Sequence, residues 1–229
     1  VSENQISEDE LKILERFGRV FEQSYTRFID LQKAEAQARE AQIEASLERV
    51  RSKTMAMHNS REVGETVATM FEELVKLGVD KSIRCGIGIL NDTRHMEVWT
   101  ASTNKSGETT LDIGLLDMTI HPLLAGVKEA WKNKKTGFTY ELLGEDLKNY
   151  FIAINAAPDY PVQVDLETLP DKIMHTDFFF SEGTLFAFSP TSIPEETAQV
   201  LKRFAGVFGQ TYRRYLDLQK AEAQAIEAQ

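Results

Sequence analysis

The chain has 229 residues, 42% hydrophobic and 27% charged, with 26 Lys plus Arg against 36 Asp plus Glu and a formal net charge of −10. That balance speaks against a scanner of DNA or RNA, whose affinity begins with phosphate neutralisation, and no run of about 18 apolar residues is present to span a bilayer. One cysteine, Cys85, permits no intrachain disulfide and fits a reducing compartment; the N-terminus has no apolar signal core, so a cytoplasmic location is expected.

The first predicted element is a helix starting at Ser7. Ser7 and Glu10 have the spacing of a capping box, in which side chain and backbone satisfy each other's free groups. Leu14, Phe17, Phe21, Tyr25, Phe28 and Leu31 then recur at three- or four-residue steps as one apolar stripe. Helix-forming letters continue without Gly or Pro from Lys33, and the reading is one helix from Ser7 to His58. A heptad register places Phe17, Phe21, Phe28, Leu31, Ala38 and Ala45 on a seam that also holds Glu35 and Gln42. The stripe resets through Ile43, Leu47, Val50, Thr54 and Met57. A parallel dimeric coiled coil with a weak seam is expected, against the plainer alternative of a poorly packed spacer. The dimer and linker candidates are Phe17, Phe21, Phe28, Leu31, Ala38, Ala45, Leu47 and Val50.

Residues 60–78 read as an amphipathic helix closed by Gly78, with Asn59 and Glu62 as its cap. IRCGIGIL (83–90), MEVWTAS (96–102) and residues 109–116 read as strands, with a polar loop from Thr103 to Gly107. HPLLAGVKEAWKNK (121–134) reads as a helix with Pro122 in its first turn. Residues 145–155 look helical, and Ala156 to Pro170, with three prolines, looks like a lid. Ser181-Glu182-Gly183 is the turn of a late hairpin. A last helix follows, with Ser192 and Glu195 as a second capping box, and carries Leu201, Phe204, Phe208, Tyr212, Tyr215 and Leu218 on one stripe. The order predicts an α+β fold on an antiparallel sheet.

That last helix repeats the first. LERFGRVFEQSYTRFIDLQKAEAQAREAQ (14–42) and LKRFAGVFGQTYRRYLDLQKAEAQAIEAQ (201–229) are identical at 20 of 29 positions with a constant offset of 187. The repeat predicts tandem units in a parent protein. Residues 1–42 would be the C-terminal helix of a preceding unit, 43–59 a linker helix, 60–218 one whole domain, and 219–229 the start of the next linker.

An amphipathic helix entering RCGIGILND, a central helical excursion, the FFFSEGTLFAFS hairpin and an exit helix running into a coiled coil resemble a GAF-type sensor domain of the PAS/GAF superfold. EAQIEASLERVRSKTMAMHNS resembles the connectors of bacterial multidomain sensor histidine kinases and related signalling chains. The long exit helix favours GAF over PAS. The resemblance implies a cavity between the sheet and the stretches 103–125 and 138–170, with Trp99, Asp117, His121, Tyr140, Tyr150, Tyr160 and His175 as pocket candidates. A ligand-free core would use the same aromatics.

The Asn-Lys-Phe-Asp-Glu set of cyclic-nucleotide-binding GAF domains is absent. Cys85 lies in a strand, an unsuitable place for bilin attachment, and reads as a small buried hydrophobe. His95, His121 and His175 would be the haem-ligand candidates, but no cofactor is assigned. No cysteine cluster or His-x-x-x-His pair suggests a metal, and no nucleophile has a base and orienter at readable spacing. His58 lacks the Glu and Pro that follow a phosphoacceptor histidine and reads as a helix terminator. The expected function is therefore a non-catalytic sensor and dimerisation module, homodimeric through its linker helices and coupled to an output domain. The alternative is a structural spacer with a filled core.

Overall fold

The computed structural model describes residues 7–57, 60–80, 82–103 and 109–227. The expected roles of His58 and Asn59 and the loop residues 104–107 lie outside them. The chain forms two compact units, Val1–Glu44 and Ala45–Gln229.

The described part of the first unit is helical from Glu8. Helix α1 (Glu8–Met55) starts with the expected capping box: Ser7 N–H donates to Glu10 Oε2 at 2.8 Å, and Glu10 N–H donates to Ser7 Oγ at 3.3 Å. Three acidic residues in the first turn complement the helix dipole. The apolar stripe of this unit is uncovered. Leu14, Tyr25 and Phe28 are about half exposed, and Phe17 and Phe21 are each 71% exposed.

In the second unit the final turns of α1 change character. Leu47, Val50, Thr54 and Met57 are buried, matching the reset of the apolar stripe. Helix α2 (Ser60–Lys76) follows and is closed by Gly78 at φ +82°. Val79 N–H bonds to Leu74 O and Gly78 N–H to Val75 O, a Schellman closure that needs a left-handed residue at this point.

Six strands form one antiparallel sheet: β1 (Arg84–Leu90), β2 (His95–Thr103), β3 (Thr109–Asp117), β4 (Gly137–Leu143), β5 (Lys172–Phe180) and β6 (Gly183–Ser189), in the order β3-β2-β1-β6-β5-β4. Between β3 and β4 lies α3 (Pro122–Lys132), and after β4 come α4 (Gly144–Asn155) and a short 3-10 turn, Leu166–Thr168. Helix α5 (Glu195–Glu227) ends the fold.

Strand alternation sorts the side chains into two layers. Cys85 and Ile87, Trp99, Phe178, and Leu185 and Ala187 point to one face, where α2 and α5 pack. Met70, Leu74, Leu201, Phe204 and Phe208 close that layer with almost no exposure. Arg84, Val98 and Thr100, His175 and Asp177, and Phe186 and Phe188 point to the other face, under α3, α4 and residues 156–170.

Two expectations need correction. Strand β4 was absent from the sequence reading, because GFTYELL is a half-exposed edge strand whose burial does not alternate cleanly. The second capping box does not form among the described residues. The α5 backbone ladder begins with Ala198 N–H to Pro194 O, and the Glu195 side chain accepts from Gln199 at 2.6 Å instead of reaching back to Ser192.

Candidate functional site

The central strand of the open face contributes Gly86 and Gly88, leaving its middle bare. A Cβ at Gly86 would stand 2.3 Å from Phe186 Cζ and 2.7 Å from Trp99 O, so glycine there lets the Phe186 ring lie flat on the sheet. A second close approach sits on β3. A Cβ at Gly114 would meet Asp159 O at 2.5 Å, and next to it Leu115 N–H donates to Asp159 O at 2.8 Å. Residues 156–170 are therefore pinned to the sheet edge by backbone, as a cover.

Between sheet and cover is a cavity of about 220 Å³. Val98 and Thr100, Phe186 and Phe188, and Ile173, His175 and Asp177 form its floor. Leu124 and Val127 of α3, Tyr150, Phe151 and Ile154 of α4, and Tyr160, Val162 and Val164 of the cover form its roof. The exposed lining residues Ser82, Arg84, Pro170 and Pro190 mark its rim. The volume exceeds that of a cavity holding benzene, about 150 Å³, and falls below drug-sized pockets of about 300 Å³ and upward.

Polar groups in this apolar wall are few. His175 and Asp177 are 4% and 1% exposed, two residues apart on β5 and on one face. His175 Nε2 comes within 2.7 Å of Asp177 Oδ2. The approach lacks hydrogen-bond direction, so both ring nitrogens and Asp177 Oδ2 are without hydrogen-bond partners among the described residues. Asp177 Oδ1 does accept from Thr184 Oγ1 at 2.9 Å. The imidazole packs 4.6 Å from the Phe188 ring. Across the floor, Thr100 Oγ1 and the Tyr160 hydroxyl are 3.2 Å apart, tying roof to sheet. Burial pushes the Tyr150 and Tyr160 phenols up, partly opposed at Tyr160 by the Thr100 hydrogen bond, so both stay protonated near neutral pH.

Of the seven pocket candidates, the structure brings Tyr150, Tyr160 and His175 to the cavity wall. Trp99 points to the α2/α5 face, because its neighbours Val98 and Thr100 take the cavity face. Asp117 pairs with Arg94 at 2.7 Å and accepts from Thr119 N–H and Oγ1, which closes the turn after β3. His121 is the N-cap of α3: its Nδ1 accepts from Leu123 N–H at 3.2 Å and its Nε2 lies 3.3 Å from Asp146 Oδ1. It props α3 against α4, with its ring edge-on to Tyr150 and Tyr140. Tyr140 sits outside the wall, on β4 opposite His175.

Sequence reasoning missed Asp177, Arg84 and Thr100. Once β5 is aligned as a strand, the i, i+2 spacing of His175 and Asp177 puts both on one face. The signal was available but hidden in an apolar run. Cys85 lies on the opposite face, and burial raises its thiol to about 12, leaving it protonated. No family model, curated protein or solved structure matches this chain.

Proposed function

We propose that this chain is a non-catalytic, GAF-like regulatory module of a bacterial multidomain signalling protein, cytoplasmic, that binds a small molecule in the cavity above the sheet. The occupancy is passed on through α1 and the end of α5, which pair as parallel linker helices in a homodimer. The observation that carries the reading is a roofed apolar cavity with a buried His175–Asp177 pair in its wall, whose ring nitrogens and Asp177 Oδ2 make no directed hydrogen bond among the described residues. Buried polar groups without partners cost free energy, and a ligand bearing a hydrogen-bonding group would supply what the protein does not. The volume suits a molecule of roughly single-ring size, somewhat larger than benzene. The enclosed space and the polar pair support this reading over the alternative, a structural spacer with a filled core.

The largely apolar lining, with few polar groups, supports binding over catalysis. The test is a thermal-shift screen of single-ring phenols, amines and carboxylic acids against the chain and its Val162→Trp variant. Val162 is a half-buried cover residue, so the indole fills the cavity without disturbing the sheet. Compounds that raise the melting temperature of the native chain and leave Val162→Trp unmoved support the sensor. A variant that melts lower than the native chain, with no compound acting on either, points to a spacer whose core is already filled.

A further inference from the structure

The repeated helix is used in two environments, and the same letters report both. Each large apolar residue from Ile13 to Phe28 is uncovered, while its counterpart 187 positions on is buried. Leu14 is 55% exposed and Leu201 0%; Phe17 and Phe21 are 71% and Phe204 and Phe208 0%; Tyr25 is 55% and Tyr212 7%. The counterparts are buried because α5 lies on β5 and β6, with Phe208 5.5 Å from Phe180. The pattern ends at one point. Leu31 and Leu218 are both about half exposed, so the correspondence of uncovered with buried stops there.

We propose that the stripe from Leu14 to Phe28 is a sheet-docking surface, and that its occupant is the helix-side face of another six-stranded unit of this build. A second copy of this chain does not fit that role, for two reasons. Its own sheet face is already closed by α5, whose Phe204 and Phe208 have no exposure. In addition, α5 meets β5 closely at Gly209, where a Cβ would stand 2.5 Å from Phe180 Cβ. The first copy carries Glu22 at that position. Because the clashing atom is Phe180 Cβ, which every residue but glycine carries, the partner sheet has glycine where this unit has Phe180, leaving room for the Glu22 side chain. Elsewhere the two copies are interchangeable by size. Arg19 replaces Gly206, around which nothing lies within 4 Å, and Gly18 replaces Ala205. On this proposal the stripe docks on a sheet rather than forming the dimer seam, which would then begin at Leu31.

The test grafts first-copy letters into the second copy of the full chain. Lys202→Glu, Ala205→Gly, Gly206→Arg, Thr211→Ser, Arg213→Thr and Tyr215→Phe convert residues 201–215 into residues 14–28 except at Gly209. This chain is expected to fold with the native near-ultraviolet circular dichroism. Adding Gly209→Glu is expected to abolish that signal or lower the melting temperature by ten degrees or more, and Phe180→Gly on top of it, which removes the clashing Cβ, to recover part of the loss. A six-residue graft that does not fold overturns the proposal, because the first copy is then not a sheet-docking sequence. A Gly209→Glu graft as stable as its parent overturns the exclusion of a second copy, and failure of Phe180→Gly to rescue overturns the assigned partner residue.

Discussion

His175 and Asp177 face each other on β5 with Nε2 2.7 Å from Oδ2, both sealed from solvent in the wall of an apolar cavity. Removing one partner leaves the other without its counterpart. Asp177→Ala also strips Thr184 of its acceptor, and the expected cost is about 3 kcal/mol, typical of breaking a buried pair. The double change His175→Phe with Asp177→Leu is expected to cost less than either single change, since apolar replacement of a buried pair is often neutral or stabilising. Chemical denaturation of His175→Phe, Asp177→Leu and the double variant gives the cycle. Additive losses would mean that the two groups do not interact.

Glu73 ties α2 to the end of α1. Burial would raise its carboxyl, but hydrogen bonds from Arg49, Lys76 and Ser46 outweigh that and hold it down from 4.5 to about 2, with Arg49 Nη2 at 2.6 Å. A carboxyl depressed by folding contributes stability that is fully present above 4.5 and is lost as pH falls through about 2. The side chain is 3% exposed but both cations are more than half exposed, so solvent screening holds the contribution to about 2 kcal/mol. Unfolding free energy measured from pH 6 to pH 2.5 should fall more steeply for the native chain than for Glu73→Gln. Parallel pH profiles would contradict the assignment.

Much of this fold was legible because helices and hairpins announce themselves locally. The Ser7–Glu10 box, the Gly78 stop and the Ser181-Glu182-Gly183 turn depend on residues within a few positions of one another, and each formed as expected. The site was less legible because it depends on strand register. Trp99, Asp117 and His121 are polar or aromatic residues in the right stretches, but one-residue alternation sends Trp99 to the other face, and local turn and cap bonds absorb Asp117 and His121. Leu47 and Val50, read as linker contacts, are buried in the second unit. The stripe reset at Ile43 marked that boundary, and its meaning became plain only with the sheet in place.

The cover is expected to move as a piece. Its backbone anchor is Leu115 N–H to Asp159 O at 2.8 Å, beside Gly114. Gly114→Val puts a branched side chain where Asp159 O and Tyr160 stand, so the cover must lift. Hydrogen exchange at the Leu115 amide should accelerate at least tenfold, while amides of β1 and β6 keep their native protection. Unchanged exchange at Leu115 would show that the cover is held from elsewhere.

The two ends of α1 should respond oppositely to truncation of apolar side chains. Leu47 is 3% exposed within the second unit, and Phe17 is 71% exposed in the first. Leu47→Ala removes buried methylenes and leaves a cavity, a change that costs about 2–5 kcal/mol, so the main thermal transition should drop by many degrees. Phe17→Ser removes a side chain that touches water, and exposed substitutions of this kind usually stay within about 0.5 kcal/mol; the same transition should hold its midpoint. Calorimetry of the two variants beside the native chain makes the comparison directly. A Phe17→Ser chain that melts as low as Leu47→Ala would mean that the stripe is already covered in this protein, by a second chain, and would return Phe17 and Phe21 to the dimer seam.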